Sequence, residues 1–431
     1  MPDRRWLQFT TVFIAGVLVT IAVHELCPKL QLQHQVRQRG KNRRKSFQQN
    51  GTPSPNEYGL GNNSQGQSGG GSGNEIQIRE GIEACIGNTP IFRIKSLSDA
   101  TGCEILAKAE FLNGAGNSPK DRVALSMIQT AEEKGLLKPY SGDMIYEGTS
   151  GSTGISLATL ARAKGYLAYI CMSSDQSPEK SNLLEKLGAI VERVPPAPIV
   201  DQNHFVNKAR RLAAEHTADP NKPGRGYFAD QFENQANWRA HFTSTAPEIY
   251  QQCGGKLDAF VTGAGTGGTI SGIARYLKPR IPDIKIVLAD PQGSGLYNKI
   301  KHGVMFDFKE REGTRRRHQV DSIVEGIGIN RLTMNFEAGR ELIDDVIRVT
   351  DDQALAMARW LVAKDGIFVG SSTAVNCIAA VQTALRLGPG HRIVTLICDS
   401  GNRHLSRFWA KAGNIGGETD MRLEDILNAG T

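Results

Sequence analysis

Two hydrophobic patterns alternate along the chain after residue 75. Short runs rich in β-branched residues predict buried strands, and amphipathic segments such as 155–164 and 270–277 predict helices between them. The predicted strands are 144–147, 167–172, 189–194, 259–262, 285–290 and 393–398. This alternation is typical of an α/β fold with a largely parallel sheet. Ligands bind beyond the carboxyl ends of such strands, so the loops that follow them are candidate sites.

The N-terminal part of the chain has a different pattern. Residues 6–23 carry no formal charge, and a helix over 6–26 would be about 31 Å long, close to the ~30 Å hydrocarbon thickness of a bilayer. A heavier run of basic residues follows this segment, at 37–45, than precedes it. We predict a membrane anchor over 1–45 that leaves the rest of the chain in the cytosol. A cleaved signal peptide or a matrix transit peptide is the alternative.

Residues 46–74 are dominated by Gly, Ser, Asn and Gln. Such a composition predicts a flexible linker with an end-to-end distance of roughly 30 Å. The folded region is therefore expected over 75–431.

Composition and charge exclude several classes of protein. The 431 residues are 39% hydrophobic and 22% charged, as in a globular protein. The net charge of +7 lies in residues 1–50, and the remainder has 42 basic and 42 acidic residues, which argues against a nucleic-acid partner. The seven cysteines are widely spaced without a C-x-x-C pair, so neither a disulfide framework nor a metal site is predicted.

A glycine-rich loop, 263–269, follows the predicted strand 259–262 and precedes a predicted helix. Backbone N–H groups of such a loop converge on an anion, and the helix N-terminus adds its dipole, so the loop predicts a phosphate site. The same residues satisfy G-x-G-x-x-G, with Asp290 at the end of the next strand, which leaves a dinucleotide site as an alternative. A tight turn without a ligand is the simplest reading.

The loop 148–154 follows the strand 144–147 and contains four hydroxyl side chains and three glycines. Backbone N–H and hydroxyl donors at a helix N-terminus suit a carboxylate ligand. An elaborate N-cap is the alternative, although one hydroxyl would be enough for capping.

Lys120 follows Pro119 at the start of another predicted helix. The positive end of the helix dipole disfavours an ammonium, so the pKa of this lysine should be lowered and its amine nucleophilic. An ordinary exposed lysine is the alternative.

Seven segments, taken together and in order, resemble the cysteine synthase and cystathionine β-synthase family of fold-type II pyridoxal-phosphate enzymes. They are 87–90 (GNTP), 118–122 (SPKDR), 149–154 (TSGSTG), 231–237 (QFENQAN) with His241 and 247–249 (PEI), 265–269 (GTGGT), 325–328 (EGIG) and 370–372 (GSS). The resemblance covers 85–409 and, together with the N-terminal segment, is greatest to fungal mitochondrial members. It therefore implies a mitochondrial location, at the outer membrane.

The resemblance implies a role for each matching residue. Lys120 would form a Schiff base with pyridoxal 5'-phosphate. The cofactor phosphate would be held by Gly265, Thr266, Gly267, Gly268 and Thr269, and the substrate carboxylate by Thr149, Ser150, Gly151, Thr153 and Gln231. Ser372 would face the pyridine nitrogen, and Ser152 would lie beside the phenolic oxygen, where the family usually has Asn. Asp399 and Ser400 follow the predicted strand 393–398 and are expected to line the same region, with capping of the strand end as an equally good alternative.

Two further departures from the family pattern lie just before the lysine. Gly114 stands where the family has Asn, with Asn113 displaced by one residue, and Pro119 replaces a common Val.

The implied activity is β-replacement in cysteine biosynthesis. O-acetylserine and sulfide would give cysteine and acetate through an aminoacrylate intermediate. Three alternatives remain: a cysteine desulfhydrase, an enzyme that makes cystathionine, and a non-catalytic scaffold tethered to a membrane. The resemblance also implies a homodimer whose smaller domain, near 114–234, closes on a larger domain made of 75–113 and 235–431.

Overall fold

The computed structural model describes residues 78–176, 178–306, 322–414 and 422–430. The predicted anchor over 1–45 and the predicted linker over 46–74 lie outside the described residues. Within those four ranges, no helix combines the length and the apolar character needed to cross a lipid bilayer.

The strands of the described residues form two sheets. In chain order they are β1 (Ile91–Arg93), β2 (Glu104–Ala109), β3 (Met144–Gly148), β4 (Leu167–Ser173), β5 (Ile190–Val194), β6 (Gly226–Phe228), β7 (Ala259–Gly263), β8 (Lys285–Pro291), β9 (Asp345–Val349) and β10 (Arg392–Ile397). One sheet has the order β1-β2-β10-β7-β8-β9 and is parallel except for the β1–β2 pair. The other has the order β5-β4-β3-β6 and is wholly parallel.

The α-helices of the described residues lie between these strands and after the last one. They are α1 (Lys95–Thr101), α2 (Lys120–Glu133), α3 (Ser152–Lys164), α4 (Pro178–Lys186), α5 (Phe205–Ala218), α6 (Ala236–Ala240), α7 (Ala246–Gln252), α8 (Gly268–Leu277), α9 (Leu296–His302), α10 (Met334–Glu337), α11 (Asp351–Asp365), α12 (Ser371–Leu387), α13 (Ala410–Ala412) and α14 (Leu423–Leu427).

Each sheet is buried in its own hydrophobic core. The six-stranded sheet is covered on both faces, because side chains that alternate along β7 enter different clusters: Val261 packs with α12 and Phe260 packs with α8. A third cluster joins β3 and β4 to α2 and α3. Parallel strands covered on both faces read as continuous apolar runs, which is why the sequence pattern identified them.

The structure confirms the α/β fold with largely parallel sheets. The six predicted strands are all present, with ends that differ by at most one residue. Two helices begin earlier than predicted, α3 at Ser152 and α8 at Gly268. The first helical turns therefore include the last residues of the two glycine-containing loops.

Candidate active site

A cavity of about 580 Å³ lies where the loops after β3, β7 and β10 meet the start of α2. The predicted site residues on its wall are Lys120, Thr149, Ser150, Gly151, Ser152, Thr153, Gln231, Gly265, Thr266, Gly267, Thr269 and Ser372. Gly268 is the exception, because it starts α8 and does not line the cavity. Residues from widely separated segments thus share one cavity, as expected for loops at the carboxyl ends of parallel strands.

Lys120 is the first residue of α2 and lies on the cavity wall directly after Pro119. Burial lowers the pKa of its amine, and the nearby groups of Cys398, Asp399 and Glu110 oppose this shift only in part. The direction is the one predicted from the helix start, but removal of the ammonium from water is the larger cause. A half-buried lysine with a lowered pKa is suited to act as a nucleophile and a base.

The segment before Lys120 is held in place by Asp121. Its carboxylate accepts hydrogen bonds from the N–H groups of Ala115 and Gly116, at 3.2 and 2.7 Å, and from the Ser156 hydroxyl at 2.6 Å. Ser156 also donates to the Ser152 carbonyl oxygen. The altered segment is therefore an ordered turn tied to α3, on which Ser152 lies.

The glycine-rich loop after β7 is packed too closely for side chains. A Cβ at Gly265 would lie 2.2 Å from the carbonyl oxygen of Gly326. Gly267 has φ +83°, and a Cβ there would lie 2.5 Å from the Cα of Phe336. Only glycine adopts this backbone without strain. The loop leads directly into α8, and Gly265, Thr266, Gly267 and Thr269 line the cavity, an arrangement shared with anion-binding loops.

The side chains of this loop are bonded to the neighbouring elements. The Asn237 amide donates to the Thr266 hydroxyl at 2.9 Å and to the Gln231 carbonyl oxygen at 2.7 Å. The Thr269 hydroxyl lies 3.2 Å from His241 Nε2. Burial holds the pKa of His241 well below its usual range. Asn237 therefore connects the phosphate-type loop to the segment that carries Gln231.

The hydroxyl-rich loop after β3 is organised around a buried carboxyl group. Glu147 accepts hydrogen bonds from the N–H of Gly148 at 3.0 Å and from that of Gln231 at 3.1 Å. The Thr153 hydroxyl donates to Gln231 Oε1 at 2.5 Å. Burial raises the pKa of Glu147 to about 8. Glu147 thus connects the two segments predicted to hold a carboxylate, although the loop pattern did not identify it.

Ser372 is buried at the start of α12, opposite the end of β10. Its side chain hydrogen-bonds Cys398, the first residue after β10, and burial raises the pKa of that thiol to about 11. Cys398 and Asp399 also line the cavity, whereas Ser400 caps the following helical turn by accepting from Asn402 N–H. The expectation for this region is therefore met by Asp399, and Ser400 has a capping role.

The cavity wall fits pyridoxal 5'-phosphate. The glycine loop and the N-terminus of α8 offer backbone donors to a phosphate, Lys120 offers an amine with a lowered pKa, and Ser372 offers a hydroxyl. The volume of about 580 Å³ lies within the range of roughly 300–1,000 Å³ that is typical of cofactor and ligand sites.

Residues 82–399 match the family described as pyridoxal-phosphate dependent enzymes. This match covers most of the chain, and the chain belongs to this family. It is therefore a pyridoxal-phosphate dependent enzyme, and its two sheets are largely parallel.

Named relatives narrow the comparison. The chain is 66% identical to cysteine synthase 2 of Emericella nidulans, over 100% of this chain and 99% of that protein. It is 54% identical to a Saccharomyces cerevisiae protein provisionally named mitochondrial cysteine synthase, over 81% of this chain and 88% of the relative. The crystal structure of O-ureido-L-serine synthase is similar with a TM-score of 0.67 and 31% identity, over 79% of this chain and 98% of that one.

Proposed function

We propose that this enzyme converts O-acetyl-L-serine and sulfide to L-cysteine and acetate. The observation that carries the proposal is the position of Lys120, whose amine lies in one cavity with a phosphate-type loop and a carboxylate-type loop. The identity of 66% with a cysteine synthase over the whole chain supports this choice of reaction.

Each group of cavity residues has a different proposed role in the reaction. Pyridoxal phosphate, when bound, supplies the electron sink that makes loss of the Cα proton and of the β-substituent feasible. Gly265, Thr266, Gly267, Gly268 and Thr269 would hold its phosphate, and Thr149, Ser150, Gly151, Thr153 and Gln231 would bind the substrate carboxylate. Lys120 would hold the cofactor through its amine and would act as the base that takes the proton from the substrate Cα.

Ser372 influences which reaction follows proton removal. We propose that its neutral hydroxyl faces the pyridine nitrogen, where it cannot stabilise a protonated ring as a carboxylate would. The ring then withdraws fewer electrons, which favours loss and replacement of the β-substituent over transamination. Ser152 would lie beside the phenolic oxygen and would offer one hydroxyl there.

We further propose a two-domain organisation in a homodimer. Residues 114–234 contain β3 to β6 and form the smaller domain, while 75–113 and 235–431 contain the six-stranded sheet and form the larger one. The grouping of strands supports this division, and the family resemblance supports the homodimer.

The location is also a proposal. The name of the Saccharomyces cerevisiae relative supports the mitochondrion. The uncharged segment 6–23 and the basic run after it support an anchor over 1–45 in the outer membrane, with the catalytic region on the cytosolic side.

The reaction is tested with purified protein that carries its cofactor. Wild type should form cysteine from O-acetylserine and sulfide without pyruvate, and Lys120→Ala should lose this activity and the visible cofactor absorbance. Lys134→Ala, at an exposed lysine just past α2, is the matched control and should behave as wild type. Borohydride reduction and peptide mass spectrometry should place the cofactor on Lys120.

The other functions give other results. Pyruvate and sulfide from cysteine alone would indicate a desulfhydrase, and cystathionine from serine and homocysteine would indicate the third enzyme. A wild-type protein without a visible cofactor band would be a scaffold. Any of these results in place of cysteine formation would overturn the proposal.

A further inference from the structure

Four charged side chains form a continuous cluster along one wall of the cavity: Lys180, Glu325, His404 and Asp399. The Lys180 ammonium lies 2.9 Å from Glu325 Oε1, and Glu325 Oε2 lies 3.5 Å from His404 Nδ1. The other ring nitrogen of His404, Nε2, lies 3.0 Å from Asp399 Oδ2. The side chain of Lys180 is 22% exposed and that of His404 is 6% exposed, so the cluster runs from the rim into the interior.

Lys180 and Glu325 are attached to elements of different sheets. Lys180 lies on α4, which packs against β5 and α3 of the four-stranded sheet. The N–H of Glu325 donates to the Ser371 hydroxyl at the start of α12, which packs on the six-stranded sheet. The Lys180–Glu325 ion pair therefore joins the two halves of the cavity.

His404 is held between two carboxylates in a site without spare room. A Cβ at Gly370 would lie 2.1 Å from Asp399 Oδ1 and 2.5 Å from His404 Nε2. Gly370 immediately precedes α12, which carries Ser372 on its first turn. The imidazole is thus packed against the backbone that positions Ser372.

Asp399 brings a negative charge to the end of the cavity where Lys120 lies. Its charge is among those that raise the pKa of Lys120 against the effect of burial. Asp399 Oδ1 is buried and has no hydrogen-bond partner among the residues that the structure describes. The other oxygen, Oδ2, contacts His404, and the side chain packs on Gly370.

We propose that His404 is a positioning residue for the reaction: its imidazolium fixes the Asp399 carboxylate beside Lys120 and, through Glu325, the Lys180 contact between the two halves. The part of this proposal that concerns catalysis rests on the proposed function. The charge and the contacts of His404 are independent of it. Loss of the imidazolium should weaken both the placement of Asp399 and the Lys180–Glu325 contact.

The charges around His404 support an imidazolium at neutral pH. Burial alone would lower the pKa of His404, but Asp399 and Glu325 raise it to about 9. Burial would raise the pKa of Glu325, but His404 and Lys180 lower it to about 2. Other charged groups on the cavity wall are Arg407, 3.4 Å from Glu325, and Arg403, Lys120, Asp175 and Glu179.

The first experiment uses the cofactor-free protein. Because the pKa of His404 is raised above its unfolded value of about 6.5, its stabilising contribution is complete below about pH 6.5 and is lost as the pH rises through 9. The difference in melting temperature between wild type and His404→Gln should therefore be largest at pH 6 and small at pH 10. His391→Gln is the control, because the ring of this histidine contacts only the Gly388 carbonyl in the described hydrogen bonds.

A nuclear magnetic resonance titration of the His404 ring tests the connection along the cluster. Lys180→Met should change the midpoint near pH 9, because it removes the ammonium that contacts the same Glu325 carboxylate as His404. Arg331→Met breaks a different ion pair between the halves, Arg331–Glu233 at 2.6 Å, and should leave the midpoint unchanged.

The second experiment uses the loaded enzyme. His404→Gln and Lys180→Met should raise the KM for the amino-acid donor about tenfold, with a smaller effect on kcat, whereas the exposed Lys186→Met should have no effect. Only His404→Gln should also change the pH dependence of the visible cofactor absorbance, because Asp399 lies at the cofactor end.

Three results would overturn the proposal. They are a constant offset in melting temperature between pH 6 and pH 10, a ring midpoint near 6.5, or an unchanged KM in both variants. A wild type that fails to make cysteine would overturn the proposed function instead, and the measurements on cofactor-free protein would still decide the role of His404.

Discussion

Arg122 shows how a residue outside the cavity fixes the start of the helix that carries Lys120. Its guanidinium donates to the buried Glu110 carboxylate through Nε and Nη2, both at 2.8 Å, and to Glu248 through Nη1 at 2.6 Å. Glu248 also accepts from the buried Lys108. Burial would lower the pKa of Arg122, but the two carboxylates raise it further above its already high usual value, so the cation persists. This network holds the first turn of α2 against β2 and α7.

The network predicts a large stability difference between two arginine variants. Arg122→Ala should lower the free energy of unfolding by about 3–5 kcal/mol, because it leaves the Glu110 charge buried without its partner. Arg93→Ala removes an exposed ion pair with Asp99 and should cost about 0–1 kcal/mol. Denaturant unfolding of the cofactor-free proteins measures both values. Equal losses would show that burial does not decide the strength of these pairs.

The sequence identified Lys120 and the S-P-K-D-R segment but not the partners of Arg122. A short motif fixes residues that follow one another, whereas Glu110 and Glu248 reach Arg122 through the packing of β2 and α7. Glu147 and His404 were missed for the same reason. Their roles depend on contacts with Gln231 and Glu325, which are distant in the chain.

The elements around the site were predictable where the local pattern was strong. The parallel strands β3, β7 and β10 are apolar runs followed by polar or glycine-rich loops, and the pattern identified all three. β2 (Glu104–Ala109) was missed, because Ala, Leu, Lys and Glu favour helices and its Lys108 is buried only through its partners. β1 and β6 have three residues each, which is too short for a periodic signal.

The loop between β7 and α8 predicts a strong effect from a single methyl group. Gly265→Ala would place a carbon 2.2 Å from the Gly326 carbonyl oxygen, so the 325–328 segment must move or the loop must open. We expect the affinity for pyridoxal phosphate to fall at least about tenfold, a loss of about 1.4 kcal/mol. Titration of the cofactor-free protein with the cofactor, followed by absorbance, measures this.

Gly366→Ala is the matched control for that substitution. A Cβ at Gly366 meets nothing within 4 Å, although its φ of +69° carries some strain. It should reduce stability by about 1 kcal/mol and leave cofactor affinity unchanged. A similar loss of affinity in both variants would mean that close packing of the 265 loop does not control cofactor binding.

At the scale of the whole molecule, the catalytic region and the N-terminal segment are predicted to be separable. The excess positive charge lies in residues 1–50, and the linker predicted over 46–74 should transmit little force. Deletion of residues 1–45 should move the protein from the membrane pellet to the supernatant in a cell fractionation. The visible cofactor absorbance should be the same before and after the deletion.

Two results would contradict this prediction. The truncated protein could remain in the pellet, or the full-length protein could already be in the supernatant. Resistance of the full-length protein to carbonate extraction separates an anchor that spans the bilayer from a segment that is only attached to its surface.

The cavity takes its walls from both sheets, and this has a consequence for the lifetime of the polypeptide. A molecule that contacts Lys120, the loop after β3 and the loop after β7 ties the two halves together, and the unfolded chain has no such site. At a hundredfold excess over its dissociation constant, such a molecule stabilises the fold by about 2.7 kcal/mol. Cells short of vitamin B6 should therefore degrade this protein faster, so that nutrition would control its amount as well as its activity.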